Sequence, residues 1–282
     1  FFGALNGKLV YLESSMAFAR SPDGCRLYYE EIGDPSTPAI FVGYPWNEGW
    51  IDVQYQMGGD EEEKQAAIQG GRNLVDMLAR HFRVIHMDYP RGCGRSEGPR
   101  ENDLQPETIA ADYVAIADAA GVDRFFATGY SWSGVMAKQV AMRTDRCAGI
   151  MCGGWPPLGG PYAQILEQQK QNVAVLPEGQ VRDVLMSNQR MYTALVAGFD
   201  EETAITGLHG RDLLLQCIYA SEDLGVPEMG LPLPIRDAIR DNTARLQQLG
   251  WRIDEVPAYD HMTLPPETIA ERIIDFLEGK SW

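Results

Sequence analysis

The stretch FFATGYSWSG, residues 125–134, constrains the fold of this chain more than any other. Its first four residues have the length and aromatic content of a buried strand, and apolar residues recur at helical spacing after it. Ser131 stands at the turn between them, where positions two before and two after it have no room for bulk. Gly129 and Ser133 meet that demand, although the second position is usually glycine. The pattern predicts a nucleophile elbow, whereas an ordinary helix cap would be the alternative for Ser131.

The composition is typical of a globular protein and argues against nucleic-acid and membrane partners. The chain has 282 residues, 45% of them hydrophobic and 23% charged, which suffices for a large core. No apolar run approaches the roughly 20 residues that a membrane span needs. The net charge of −16 argues against binding to a phosphate backbone. We therefore expect a small-molecule substrate as the partner, with a homodimer as an open alternative to a monomer.

The cysteine pattern indicates a reducing compartment. There are five cysteines, an odd number, and most fall in apolar segments (Cys25, Cys93, Cys147, Cys152, Cys217). They are typical of reduced core residues in a cytoplasmic protein. No second pair completes a metal site beside Cys147 and Cys152, so we expect neither a metal ion nor another cofactor.

The beginning of the chain has no signal-peptide pattern. Met16 is a plausible natural start, which would make residues 1–15 an N-terminal extension. If this extension is native, Lys8 to Leu12 could form an edge strand.

Strands and helices alternate over most of the chain, and this predicts an α/β fold with a mostly parallel central sheet flanked by helices. A hairpin is expected around residues 22–24, and residues 47–71 are interpreted as an irregular acidic insertion of open role, followed by a helix from Asn73. Residues 155–210 break the alternation with a long helical stretch, which we interpret as an inserted cap. The core is then 16–154 and 211–282.

Four blocks of sequence resemble the α/β-hydrolase fold superfamily in its own order. They are GYP at 43–45, DYPRGCGRS at 88–96, GYSWSG at 129–134, and the pair IYASEDLGVP at 218–227 and YDHM at 259–262. The GCGRS string is close to the version in proline iminopeptidases. One departure is Val42, which stands where the family usually has histidine. The resemblance implies a hydrolase with a serine nucleophile.

The chemistry of a serine nucleophile points to the same residues. A serine hydroxyl needs a neighbouring base, and His261 follows a late strand, where the order serine, acid, histidine requires it. The remaining histidines, His81, His86 and His209, do not lie at such a position in the chain. Asp223 follows the strand before it, at the position that the resemblance assigns to the acid. Its rivals are Glu222 and Asp260, while Asp88 and Arg95 are expected to organise their loop.

The oxyanion of a tetrahedral intermediate needs two backbone donors. The elbow supplies the N–H of Trp132, and the resemblance assigns the second to Tyr44. Losing the histidine at Val42 removes a support beneath that loop and leaves its shape open. Aromatic residues at strand ends indicate an apolar pocket, formed by Gly43, Trp46, Tyr130 and Trp155.

These observations favour hydrolysis of a carboxylic ester through an acyl-enzyme. The first alternative is an aminopeptidase of the proline iminopeptidase type, which needs cap carboxylates for the substrate's ammonium group; the candidates are Glu167, Asp183, Asp200, Glu201 and Glu202. Carbon–carbon bond hydrolases and perhydrolases share the same triad. Haloalkane dehalogenases and epoxide hydrolases place aspartate where Ser131 stands. A non-catalytic ligand-binding relative is the rival from another class.

Overall fold

The computed structural model describes residues 3–5, 8–10, 14–100, 103–227 and 230–282. The strands are β1 (Gly3–Leu5), β2 (Lys8–Val10), β3 (Ser14–Arg20), β4 (Arg26–Ile32), β5 (Ala39–Val42), β6 (Arg83–Met87), β7 (Phe125–Tyr130), β8 (Cys147–Gly153), β9 (Leu214–Ala220), β10 (Gly225–Val226), β11 (Leu231–Pro232) and β12 (Trp251–Val256). The helices are α1 (Glu48–Tyr55), α2 (Glu61–Ala79), α3 (Pro106–Ala120), α4 (Trp132–Arg143), α5 (Tyr162–Val175), α6 (Gln180–Gly198), α7 (Glu201–Leu208), α8 (Ile235–Gln248) and α9 (Pro266–Leu277).

Eight of these strands form one sheet in the order β12-β9-β8-β7-β5-β6-β4-β3. β3, β4 and β6 pair antiparallel, and the other neighbours pair parallel. The predicted fold class, a mostly parallel sheet flanked by helices, is confirmed. Since β7 lies inside the sheet and the strands on either side of it run parallel to it, the carboxyl ends of β5, β7, β8, β9 and β12 share one edge.

Helices cover both faces of the sheet, which explains the continuous apolar strands. In β5 the side chains of Ala39 and Phe41 join the core under α3, α4 and α8. Those of Ile40 and Val42 join the core under α2 and α9. All four are buried, because alternate side chains of a strand point to opposite faces and here both faces are covered.

The interpretation of residues 47–71 as irregular is wrong. The segment forms α1 and the first half of α2, which begins at Glu61, ahead of the Asn73 start that we predicted. Asp60 accepts the N–H of Glu63, and the Glu63 carboxylate accepts the N–H of Asp60. This capping box, with acidic side chains in the first helical turn, stabilises the helix start. The acidic run is therefore a helix N-terminus.

The N-terminal strand prediction differs from the structure in its partner. Lys8–Val10 is a strand, but it pairs with Gly3–Leu5 in a two-stranded sheet of its own, and Leu12 lies outside the described residues. The two edge strands of the main sheet are β12 and β3, and β3 contains Met16. The five cysteines are free and buried. Among the described residues, no helix combines the length and apolarity that a bilayer span requires.

Candidate active site

Ser131 occupies a strained turn between β7 and α4. Its φ of 57° and ψ of −126° lie where residues with a side chain are rarely found, and such strain persists only where the surroundings enforce it. A Cβ added at Gly129 would lie 2.1 Å from the carbonyl oxygen of Ser133. The close approach of the strand end to the helix start therefore requires glycine at 129. This turn holds the Ser131 side chain at the carboxyl edge of the sheet.

Three residues distant in sequence meet at this edge. The Ser131 Oγ lies 2.9 Å from Nε2 of His261. Nδ1 of the same imidazole lies 3.1 and 3.0 Å from the two carboxylate oxygens of Asp223. Asp223 is fully buried and His261 is nearly so. The structure thus brings together the three side chains that the sequence analysis selected as nucleophile, base and acid.

Contacts from neighbouring elements hold the imidazole and its carboxylate. The N–H of Gly225 donates to Asp223 Oδ1 at 3.0 Å. The Tyr130 hydroxyl donates to the carbonyl of His261 at 2.9 Å. The rival acid Asp260 faces away from the imidazole nitrogens and accepts the N–H groups of Met262 and Thr263. The geometry therefore favours Asp223 as the partner of the histidine.

The serine at position 133 fastens the Tyr44 loop to the elbow. Its hydroxyl donates to the carbonyl of Tyr44 at 2.7 Å, with the Tyr130 carbonyl at 3.0 Å, and accepts the N–H of Tyr130 at 2.8 Å. Val42 lies wholly in the core. A hydroxyl at position 133 thus holds the carbonyl of Tyr44 against the elbow.

Two groups of this loop and the elbow face the nucleophile. Trp132 is the first residue of α4, so its backbone N–H has no partner within the helix. Burial raises the pKa of Tyr44, which keeps the phenol neutral. The Tyr44 ring packs on Trp132 and Trp50, with centroids 5.1 and 4.7 Å apart.

A cavity of about 450 Å³ opens over Ser131 and His261. Of the predicted pocket residues, Trp46, Tyr130 and Trp155 line it. Gly43 is not among the lining residues, and a Cβ added to it would lie 3.2 Å from the Met87 side chain.

The cavity wall includes a segment whose role was open from sequence. Side chains of α1, α2 and the turn between them form one side; they include Trp50, Ile51, Gln54, Tyr55, Met57, Ala66 and Ala67. The opposite side comes from α5 and α6. The insertion at 47–71 therefore shapes the binding site.

Comparison with known proteins agrees with this architecture. A family model described as alpha/beta hydrolase fold matches residues 68–204. The solved structure of an esterase from Pyrococcus furiosus superposes with a TM-score of 0.60, covering 94% of this chain and 90% of the other at 14% identity. The chain has the α/β-hydrolase fold.

Curated relatives match shorter parts of this α/β hydrolase. Bifunctional epoxide hydrolase 2 of Mus musculus is 28% identical over 120 residues, which are 42% of this chain and 18% of the mouse protein. Haloalkane dehalogenase 2 of Mycobacterium tuberculosis is 33% identical over 89 residues, 30% of this chain and 31% of that enzyme. The chain thus spans less than a third of the length of either relative.

The described residues that line the cavity offer no carboxylate to a cationic substrate. They include no aspartate, glutamate, lysine or arginine. The five candidate carboxylates lie elsewhere. Asp200 caps α7, Glu202 pairs with Arg245 at 3.2 Å, Glu167 lies 3.7 Å from Lys170, Asp183 is exposed, and Glu201 is engaged by Lys138.

Lys138 joins the elbow helix of the α/β hydrolase to the segment between β8 and β9. It is fully buried, and its Nζ lies 2.7 Å from the Glu201 carboxylate and 2.8 Å from the Tyr162 hydroxyl. Nζ also donates to the carbonyls of Pro156 and Pro157 at 3.1 and 3.2 Å. Breaking a buried pair of this kind costs about 3–5 kcal/mol, since one charge is left without a partner. α4 thereby fixes the first residues of both α5 and α7.

We expect Ser133→Ala to lower the kcat of the α/β hydrolase for an activated ester about tenfold while KM stays within about twofold. The change removes the hydroxyl that accepts the Tyr130 N–H and donates to the Tyr44 carbonyl, and this loosens the Tyr44 loop. The loop carries a proposed oxyanion donor, and such a donor contributes most in the transition state. Steady-state kinetics with a p-nitrophenyl ester measures both constants. The control is Ser187→Ala, which removes a buried hydroxyl that donates to the Asp183 carbonyl in α6. Equal kinetics in the two variants would contradict the assignment.

Proposed function

We propose that this α/β hydrolase cleaves carboxylic esters of small, uncharged and largely apolar substrates through an acyl-enzyme. The observation that carries the proposal is the chain of contacts from Ser131 Oγ to His261 and from His261 to Asp223. A hydroxyl 2.9 Å from an imidazole nitrogen can pass its proton to it as the oxygen attacks a carbonyl carbon.

In the proposed mechanism Ser131 attacks the ester carbonyl and His261 takes its proton. Asp223 keeps the imidazole in the tautomer that accepts at Nε2 and stabilises the imidazolium. His261 then protonates the departing alkoxide, leaving an acyl group on Ser131. A water molecule, deprotonated by the same imidazole, attacks the acyl carbonyl and releases the acid.

The backbone N–H groups of Trp132 and Tyr44 are proposed to bind the oxyanion of each tetrahedral intermediate. Each donor of this kind contributes about 10²–10³ in rate. Support for Tyr44 comes from the Ser133 hydroxyl, which holds the Tyr44 carbonyl against the elbow.

Two alternatives fit the site less well. An aminopeptidase would need carboxylates at the ammonium group of its substrate, and the described lining residues include none. Hydrolysis of an epoxide or a haloalkane through an alkyl-enzyme would need a carboxylate at position 131, where this chain has serine. The resemblance to an epoxide hydrolase and a haloalkane dehalogenase is therefore a resemblance of fold.

Two measurements test the proposal. We expect a fluorophosphonate probe to label Ser131, as located by peptide mass spectrometry, because the imidazole activates that hydroxyl. We also expect p-nitrophenyl butyrate to be turned over at least about 100-fold faster than proline β-naphthylamide, since the described lining residues include no carboxylate to hold an ammonium. Faster turnover of the naphthylamide would favour the aminopeptidase. An unlabelled Ser131, together with tight binding of a small apolar molecule, would favour a non-catalytic ligand-binding protein.

A further inference from the structure

The cap side of the cavity is lined by carboxamides. On α5 the lining residues recur at helical spacing, so one face of the helix points into the cavity: Ile165, Gln168, Gln169 and Asn172. On α6 they do the same: Leu185, Asn188 and Tyr192. Gln54 of α1 lines the same cavity. Amides on three helices thus meet in a space whose other walls are aromatic and aliphatic.

Some of these amides already have partners within the protein. Gln168 donates to Asn172 at 2.9 Å, and Gln54 accepts the indole N–H of Trp50 at 3.1 Å. Gln169 and Asn188 differ from them. Gln169 is 8% exposed and Asn188 is 4% exposed, and the amide oxygen of each is buried without a hydrogen-bond partner.

A buried amide without a partner is costly, about 1–3 kcal/mol, so proteins usually satisfy such groups. Here two of them line one cavity from adjacent helices, and both can rotate about the terminal torsion to present either oxygen or N–H₂. A ligand that supplies a hydroxyl or an amide would satisfy them. An ionic group would be left without a counter-charge on the cap side.

We propose that Gln169 and Asn188 form a polar subsite that selects esters carrying a neutral hydrogen-bonding group, a hydroxyl or an amide, remote from the scissile bond. This inference rests on the proposed ester hydrolysis and narrows its substrate class. In this arrangement the reacting carbonyl is placed at Ser131, an apolar or aromatic spacer contacts the apolar wall that includes Trp46 and Trp155, and the neutral polar group is placed at α5 and α6.

The test compares matched esters in two series. One varies the acyl side, from p-nitrophenyl phenylpropanoate to its ortho-, meta- and para-hydroxyphenyl analogues. The other varies the alcohol side, from phenylethyl acetate to the corresponding hydroxylated acetates. In at least one series we expect a hydroxylated ester to exceed its parent about tenfold in kcat/KM, which is the size of one net hydrogen bond. Analogues that carry a carboxylate or an ammonium in the same place should have a lower kcat/KM than the parent ester.

Variants then assign that preference to the two amides. Gln169→Met and Asn188→Leu should each reduce the ratio of kcat/KM for the hydroxylated ester to that for its parent to about twofold or less. Gln171→Leu is the control, because it removes an exposed glutamine from the same helix. The wild-type comparison with charged analogues remains a test if a variant does not fold.

The outcomes separate this inference from the function on which it rests. If neither parent ester is cleaved, the proposed function fails and the subsite with it. If the parents are cleaved but no hydroxylated ester is preferred in either series, the subsite alone is overturned. A preference that survives both the Gln169 and Asn188 variants would overturn it as well.

Discussion

Replacing Ser131 by alanine is expected to lower kcat/KM for a p-nitrophenyl ester by about 10⁴-fold or more. The variant lacks the oxygen that attacks the ester. Among the described contacts, the Ser131 hydroxyl is the group that hydrogen-bonds to His261 Nε2, so no second hydroxyl is in place to act as the nucleophile. What remains is the contribution of substrate binding and of the oxyanion donors, which accelerates attack by water. Stopped or steady-state assays of wild type and variant on the same ester measure the loss.

The fold of the Ser131→Ala variant should stay intact. Alanine carries the same Cβ as serine, so it occupies the turn at φ 57° with no greater strain. Urea unfolding should give a midpoint close to that of the wild type. A variant that keeps more than about a hundredth of the activity, with label no longer found at position 131, would contradict the assignment of the nucleophile.

Asp223→Asn is expected to reduce kcat about 10⁴-fold, with a much smaller change in KM. The carboxylate oxygens lie 3.0 and 3.1 Å from His261 Nδ1 and accept the N–H of that nitrogen. In this tautomer Nε2 carries no proton and can act as a base. An asparagine amide can turn its N–H₂ toward Nδ1, which favours the wrong tautomer and cannot stabilise the imidazolium. Steady-state kinetics on an activated ester gives the two constants.

Two neighbouring carboxylates provide the controls for Asp223. Asp260→Asn removes the charge adjacent to the histidine in sequence, and Glu222→Gln does the same beside the aspartate. Neither carboxylate hydrogen-bonds to the imidazole nitrogens among the described contacts. We expect both variants to keep kcat within about fivefold of wild type, since Glu222 is exposed and Asp260 is only partly buried, and charges in contact with solvent act through a high effective dielectric. A large loss in Asp260→Asn and a small one in Asp223→Asn would reassign the acid.

The sheet and the positions of the three central residues could be predicted because local patterns carry that information. Strands such as β5 and β8 are buried on both faces and therefore read as continuous apolar runs. The order serine, acid, histidine along the chain follows from the order in which parallel strands reach one edge. Only Gly129 and Ser131 were needed to locate the elbow.

Other parts of the site depend on the packing of distant segments. The start of α2 had a local signal, Asp60 followed by Glu63, which the acidic composition of the segment obscured. The cavity wall from α1 had none, because Trp50 reaches the site through the position of a whole helix. At Ser133 the sequence showed a departure from the family pattern, and its partner at Tyr44 became visible in space. The amide oxygens of Gln169 and Asn188, which have no hydrogen-bond partner, likewise become visible only in the packing of distant segments.

The buried ion pair of Lys138 with Glu201 limits how this binding site can be rebuilt. Positions 138, 162 and 201 share one polar cluster, although the first belongs to the core and the other two to the segment above it. A helical segment grafted from a relative without a carboxylate at the equivalent of 201 would leave the buried Lys138 ammonium without a counter-charge. Chimeras should therefore exchange the three residues as a set, and the junctions should be chosen outside them.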